Sequence, residues 1–261
     1  MSASTPTGER HLDVVHVSCD FPDPIVAFKT PVIRTLLELT QNDFSHRVYS
    51  LNRQSPSALS FGKSVIAGLG KPGLTMRAQP FEWGEAIEYE APGRGLFLAT
   101  LMRQVGEELA ADLRASGRVP DLLVAHKLSI EGIAVQRAAF LLDRPYALSI
   151  QGDTDTKVLA ARPDLKRAFA GIFHGAAMVF PFAPWSLRQV EGRLGARSGP
   201  CIALPCPTDL DEPLPPLRGR GADHRVPSQE SRAQESERYG RGASFARRRR
   251  LSCPAWRDRW R

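Results

Sequence analysis

Residues 120–150 read PDLLVAHKLSIEGIAVQRAAFLLDRPYALSI, and this stretch decides the fold class. Two short apolar runs, Pro120–Ala125 and Pro145–Ile150, flank a segment from Ile130 to Leu142 whose apolar residues recur at helical spacing. The runs are continuous rather than alternating, which predicts strands buried on both faces. Strand, helix and strand in succession predict a βαβ unit with a parallel sheet.

Working outward, the same alternation recurs. His11–Cys19 (HLDVVHVSC) predicts a strand ended by the proline-rich loop Asp20–Pro24, because proline cannot donate to a ladder and restricts its neighbour. A helix follows, with Thr30 as N-cap, Pro31 at the first helical position and an apolar stripe at Val32, Ile33, Leu36, Leu37 and Leu39. His46–Leu51 is a second strand. Gly62, Gly68, Gly70, Pro72 and Gly73 mark turns, and residues 74–90 predict a hairpin. Leu98, Leu101, Met102, Val105, Leu109 and Leu113 define a helix with charges on its opposite face. After Ile150 come a loop, a helix near Asp164–His174, a strand at Ala177–Phe180, a helix at Pro184–Leu194 and a strand at Pro200–Leu204. The prediction is an α/β fold, a Rossmann-like doubly wound, mostly parallel sheet over residues 11–205, preceded by a polar N-terminus (1–10). A proline-rich linker (206–216) and an arginine-rich tail (217–261) follow.

The net charge of +7 suggests a polyanion partner until its distribution is read. Thirteen of the 35 basic residues and five of the 28 acidic ones lie between Leu217 and Arg261, so the tail carries +8 and the remainder −1. The body is nearly neutral, which argues against a specific nucleic-acid surface on the folded part. Cys19, Cys201, Cys206 and Cys253 have no zinc-type spacing and suggest reduced thiols. No apolar run approaches the length of a bilayer-spanning helix. A cytoplasmic protein is expected, with room for peripheral contact at the inner membrane face.

An open doubly wound sheet binds ligands beyond the carboxyl ends of its strands, and three predicted strand ends carry polar residues. The first is Asp20 with Lys29 and Thr30, where a lysine beside a helix start suits an anion; an ordinary capped βα loop explains the same residues. The second is His126-Lys127, where an imidazole could donate to a sugar hydroxyl or phosphate, or bond a neighbouring loop. The third is Gln151-Gly152-Asp153: the amide and carboxylate suit hydroxyls and the glycine admits close approach, while Gly-Asp-Thr-Asp also reads as a turn leading to an N-cap at Asp155. The aromatic stretch Val179–Trp185 reads as packing. No metal-ligand cluster or Ser-His-Asp arrangement is visible.

The segments VVHVSCDFPDP, HRVYSLNR, PDLLVAHKLSIEG, RPYALSIQGDTDTKVLAARPDLK and AAMVFPFAPWS resemble the N-terminal domain of bacterial family 4 glycosyltransferases, retaining enzymes of the GT-B fold. The resemblance spans most of residues 12–186. It implies sugar transfer from a nucleotide-sugar to a saccharide, lipid-linked or small acceptor, as in polysaccharide or glycolipid synthesis, with no required metal and no cofactor beyond the donor. It implies that this domain holds the acceptor and a second Rossmann domain the donor. By position, Asp20–Thr30 resembles the loop that approaches the donor diphosphate, His126 matches the polar residue after the inner strand, and Gln151-Gly152 stands where many members have His-Gly. With the strand-end reading, the expected catalytic residues are His126 and Asp153 and the expected substrate-binding residues Asp20, Lys29, Thr30, Lys127, Gln151 and Gly152. Gln151 stands where many members have histidine, and Lys29-Thr30 where others have glycine.

The tail is rich in arginine, lacks lysine and has few apolar residues, so its composition predicts disorder. Translating residues 223–239 one base later is compatible with a strand and a Lys-Asn helix start. The expectation is therefore a frameshift that truncates the enzyme and leaves it inactive alone. Two other readings are a non-catalytic sugar- or nucleotide-binding domain, and a nucleic-acid or anionic-membrane binder acting through the tail.

Overall fold

The computed structural model describes residues 11–70 and 72–206. Seven strands form one sheet: β1 (Leu12–Ser18), β2 (Phe44–Gln54), β3 (Met76–Phe81), β4 (Gly84–Glu90), β5 (Leu122–Ala125), β6 (Tyr146–Ile150) and β7 (Met178–Pro181). Their order is β3-β4-β2-β1-β5-β6-β7, and every pairing is parallel except β3 with β4. Without the antiparallel edge strand this is the Rossmann order, with the direction of winding reversing between β1 and β5.

Alternate residues of each strand face opposite sides of the sheet. On one face Val15, Val17, Tyr49, Leu51, Ile87, Leu123, Leu148 and Ile150 join a large core. The helices packed there are α3 (Leu98–Ala115), α4 (Glu131–Leu142), α5 (Asp153–Ala161), α6 (Lys166–Gly175) and α7 (Pro184–Leu194). On the other face α1 (Val32–Thr40) buries Ile33 and Leu37 against Phe21 and Val48. Two glycines set the spacing. A Cβ at Gly106 would lie 2.3 Å from the Ala134 carbonyl oxygen, so only glycine lets α3 approach α4 this closely. Gly84 has φ +145°, and a Cβ there would meet the Val48 carbonyl at 2.3 Å.

Five expectations are corrected. The loop foreseen after Ile150 is α5, whose first turn holds the Gly-Asp-Thr-Asp sequence that reads locally as a turn. Asp155 is consequently the third residue of that helix rather than its cap. The turn-rich segment 54–73 contains α2 (Ala58–Ala67), which accommodates Gly62. Pro31 rather than Thr30 occupies the α1 cap position, with near-helical torsions (φ −75°, ψ −8°), while Thr30 Oγ1 reaches the Val32 N–H only at 3.5 Å. The strand expected at Pro200–Leu204 is reduced to a bridge at Cys201, although the Ile202 and Leu204 N–H groups bond Val179 and Pro181 at 3.0 Å. The readings of residues 1–10 and 207–261 lie outside the described residues. No helix among the described residues is long and apolar enough to cross a membrane.

Candidate functional site

Parallel strands deliver their carboxyl ends to one edge, and loops leaving β1 and β5 to opposite faces open a crevice between them. Asp20 and Lys127, from those two loops, meet there as an ion pair with Nζ–Oδ2 2.5 Å. Burial alone would lower the Lys127 pKa, but Glu131 and Asp20 outweigh it and raise it, so the lysine stays cationic. Sequence reasoning passed over Glu131. It lies in the first turn of α4, fully buried; its Oε1 accepts the Cys19 N–H at 2.5 Å, and its Oε2 has no hydrogen-bond partner. Burial lifts its pKa to about 8 against the opposing pull of Lys127. Near neutral pH it is a protonated carboxyl and an O–H donor. Burial, aided by Glu131, holds the neighbouring Cys19 thiol protonated. The available signal was an acid in the first turn of a helix that follows a strand end.

Gln151 and His126 also come together, with Nε2 3.4 Å from Nδ1. They begin a chain that local sequence could not reveal. His126 Nε2 lies 3.1 Å from His16 Nδ1, His16 Nε2 lies 3.0 Å from His46 Nδ1, and His46 Nε2 lies 2.9 Å from Thr40 Oγ1. Burial depresses all three imidazole pKa values, that of His126 to about 3, so each ring is neutral with one N–H. The Thr40 hydroxyl donates to the Leu36 carbonyl at 2.9 Å, which leaves its oxygen to accept from His46. Every proton then follows. His46, His16 and His126 each carry hydrogen on Nε2, and His126 Nδ1 presents a lone pair toward the Gln151 amide. His126 is thus a neutral hydrogen-bond acceptor at this edge, suited to a hydroxyl donor and unsuited to phosphate. The only hint in the sequence is that His16 and Ser18 alternate with valines, giving β1 one polar face.

The remaining residues lie apart from this pair of contacts. Lys29 is engaged by Asp23 Oδ2 at 2.7 Å and donates to Ser50 Oγ at 2.9 Å. Asp23 also accepts from Asn52 Nδ2 and from the Ile25 and Val26 N–H groups, each within 2.9 Å. Although burial opposes it, this set holds the Asp23 pKa near 2. Lys29 therefore braces the Asp20–Thr30 loop. Thr30 is exposed beside it. Asp153 faces outward and pairs with Lys157 at 2.5 Å along α5. Gly152 has open space where a Cβ would stand. The buried carboxylate of α5 is Asp155, which accepts the Ser129 N–H at 2.8 Å, the Ser129 hydroxyl at 2.7 Å and the Leu128 N–H at 3.3 Å. It fixes the loop that carries His126 and Lys127.

A cavity of about 730 Å³ lies at the opposite edge, where β1, β2 and β4 begin. Its Arg47 is already paired with Glu85 at 2.9 Å and Asp112 at 3.1 Å. Buried unpartnered atoms occur at both edges, Trp83 Nε1 beside this cavity and Asn52 Oδ1, Glu131 Oε2 and Ser149 Oγ at the carboxyl edge. The carboxyl edge holds more of them together with the Asp20–Lys127 and Gln151–His126 contacts, and the candidate site lies there. Among the described residues no group of three or more His, Cys, Asp or Glu side chains could hold a metal ion.

No family model and no curated protein matches the chain. Similar solved structures include Arabidopsis thaliana UGT89C1 complexed with UDP, at 11% identity over 86% of this chain and 54% of that one, TM-score 0.40. Also similar are the UDP-N-acetylglucosamine 2-epimerase of Rickettsia bellii (12%, 74% and 44%, TM-score 0.41) and an α,α-trehalose-phosphate synthase (UDP-forming) of Burkholderia vietnamiensis (10%, 76% and 49%, TM-score 0.43). The chain spans about half the length of these structures.

Proposed function

We propose that this chain is the acceptor-side domain of a nucleotide-sugar-dependent glycosyltransferase, working with a second domain that holds the donor. The observation that carries the reading is the crevice at the β1/β5 winding reversal, where an acceptor histidine, a carboxamide, a protonated carboxyl and a Lys-Asp pair meet. Such groups suit a polyhydroxylated ligand. Gln151, oriented by the lone pair of the buried His126, can donate to and accept from sugar hydroxyls, while the buried Glu131 holds the Cys19 N–H and so shapes the loop after β1. Lys127 contributes positive charge near a leaving diphosphate, where electrostatic stabilisation has its largest effect. The acceptor is a saccharide or a lipid-linked glycan, and the second domain lies in the reading frame displaced after Pro216.

The test is to restore that frame and measure nucleotide diphosphate release from a panel of nucleotide-sugars, together with melting temperature. Asp153→Ala should impair transfer at least tenfold with little change in stability, because Asp153 is exposed. His126→Ala should impair transfer as strongly and, because His126 is buried and bonded to His16, should also lower the melting temperature. Normal turnover in the His126→Ala variant would remove that residue from the site. No turnover with any donor would remove the reading itself.

A further inference from the structure

A second cavity, of about 470 Å³, opens at the carboxyl edge, and the established features of the crevice do not use it. Tyr89, Leu98, Leu101, Met102, Ile130 and Val158 wall it, so most of its surface is apolar. Its size lies within the range of small-molecule sites. Two arginines stand at the lining and differ in kind. The Arg162 guanidinium is occupied by Asp164, at 2.8 and 2.7 Å, and also bonds the Gly95 carbonyl. Arg53, beside Tyr89 in the β2–β4 register, donates to the Ala91 carbonyl at 3.0 Å and has no carboxylate partner among the described residues. The Tyr89 hydroxyl likewise has no hydrogen-bond partner among the described residues, and burial keeps it protonated. At the N-terminus of α3, Phe97 holds the left-handed conformation (φ 59°), which is unfavourable for a non-glycine residue and concentrated at functional sites.

We propose that this cavity binds the acceptor as an amphiphile, with an apolar ring or chain inside it and one anionic group, phosphate or carboxylate, paired with Arg53 and reached by the Tyr89 hydroxyl. Apolar walls reward the apolar body, and the uncompensated guanidinium selects the charge. The substrate class rests on the glycosyltransferase reading, but the cavity's chemistry is testable without it.

The probe is 1-naphthyl phosphate, titrated by fluorescence into the full chain, with 1-naphthol and inorganic phosphate as the apolar and anionic halves. Naphthyl phosphate should bind at least tenfold more tightly than either half. Arg53→Met, which keeps an apolar stem at an exposed position, should weaken naphthyl phosphate at least tenfold and leave naphthol unchanged. Val158→Phe, which fills the cavity, should weaken both, with circular dichroism checking that each variant is folded. Equal affinity of wild type and Arg53→Met would overturn the proposal, since attraction to the arginine-rich tail survives that substitution. Displacement by UDP would also overturn it, by giving the cavity to a nucleotide, while leaving the glycosyltransferase reading intact. Binding as expected with no transfer by the frame-restored enzyme would defeat that reading alone.

Discussion

Replacing Glu131 by glutamine should make the protein more stable at alkaline pH. Burial raises the carboxyl from an ordinary value of 4.5 to about 8. At about 1.4 kcal/mol for each tenfold change in proton affinity, the raised pKa costs the fold ~5 kcal/mol above pH 9, where the buried group is ionised, and ~3 kcal/mol at pH 7, where folding must take up a proton. The sign follows from the raised pKa. The contribution of the neutral carboxyl is complete below pH 4.5 and is lost as the pH climbs through about 8. Glutamine does not titrate, and its Oε1 can still accept the Cys19 N–H that Glu131 takes at 2.5 Å. It forfeits attraction to Lys127 and to the α4 N-terminus, on the order of 1–2 kcal/mol. Glu131→Gln should therefore be about 3–4 kcal/mol more stable than wild type at pH 9 and no more stable at pH 5. Urea unfolding at half-unit intervals of pH gives both curves, and their difference isolates this one group. Parallel curves from pH 5 to pH 9 would refute the reasoning, because they would mean the carboxyl is hydrated or ionised at no cost.

Three further outcomes follow from the packing and the polar chain. Gly106→Ala should destabilise by about 1–3 kcal/mol, read as a lowered melting temperature by calorimetry, since its Cβ would stand 2.3 Å from the Ala134 carbonyl. Asp155→Ala strands two N–H groups and a hydroxyl and should cost about 3–5 kcal/mol in urea unfolding, with Asp155→Asn costing less. In ¹⁵N NMR the rings of His16, His46 and His126 should all be Nε2-protonated at pH 7, and Thr40→Val should shift the His126 tautomer balance. An Nδ1-protonated His126 in the wild type would contradict the proton order derived from the Thr40 bond to Leu36.

The fold was legible wherever the signal was local. The run LLVA of β5, the helical spacing of Leu101, Val105 and Leu109, and Pro184 opening α7 each identify an element without tertiary context. It was illegible where a distant partner decides. Gly152-Asp153-Thr154-Asp155 has turn chemistry, yet it enters a helix because Ser129, 26 residues away, supplies the donors that Asp155 needs. The Asp20–Lys127 and Gln151–His126 contacts lie at the edge where the strand ends place them. That Lys29 would be held by Asp23, or that His16 would bridge His46 and His126 across separations of 30 and 110 residues, depends on side-chain register between strands. Glu131 reads as an ordinary first-turn acid until its complete burial is seen.

The central claim is that ligands of a glycosyltransferase engage the carboxyl edge of this sheet, and a ¹⁵N–¹H correlation titration of the full chain with UDP-glucose, and separately with glucose 6-phosphate, tests it most directly. The account predicts shifts at Asp20, His126–Ser129 and Gln151-Gly152 with glucose 6-phosphate, a saccharide on the acceptor side, and weaker shifts at the same residues with UDP-glucose, whose main site belongs to the second domain. Shifts confined to Ser45–Arg47, Glu82 and Arg118, around the cavity of about 730 Å³ at the opposite edge, would contradict it.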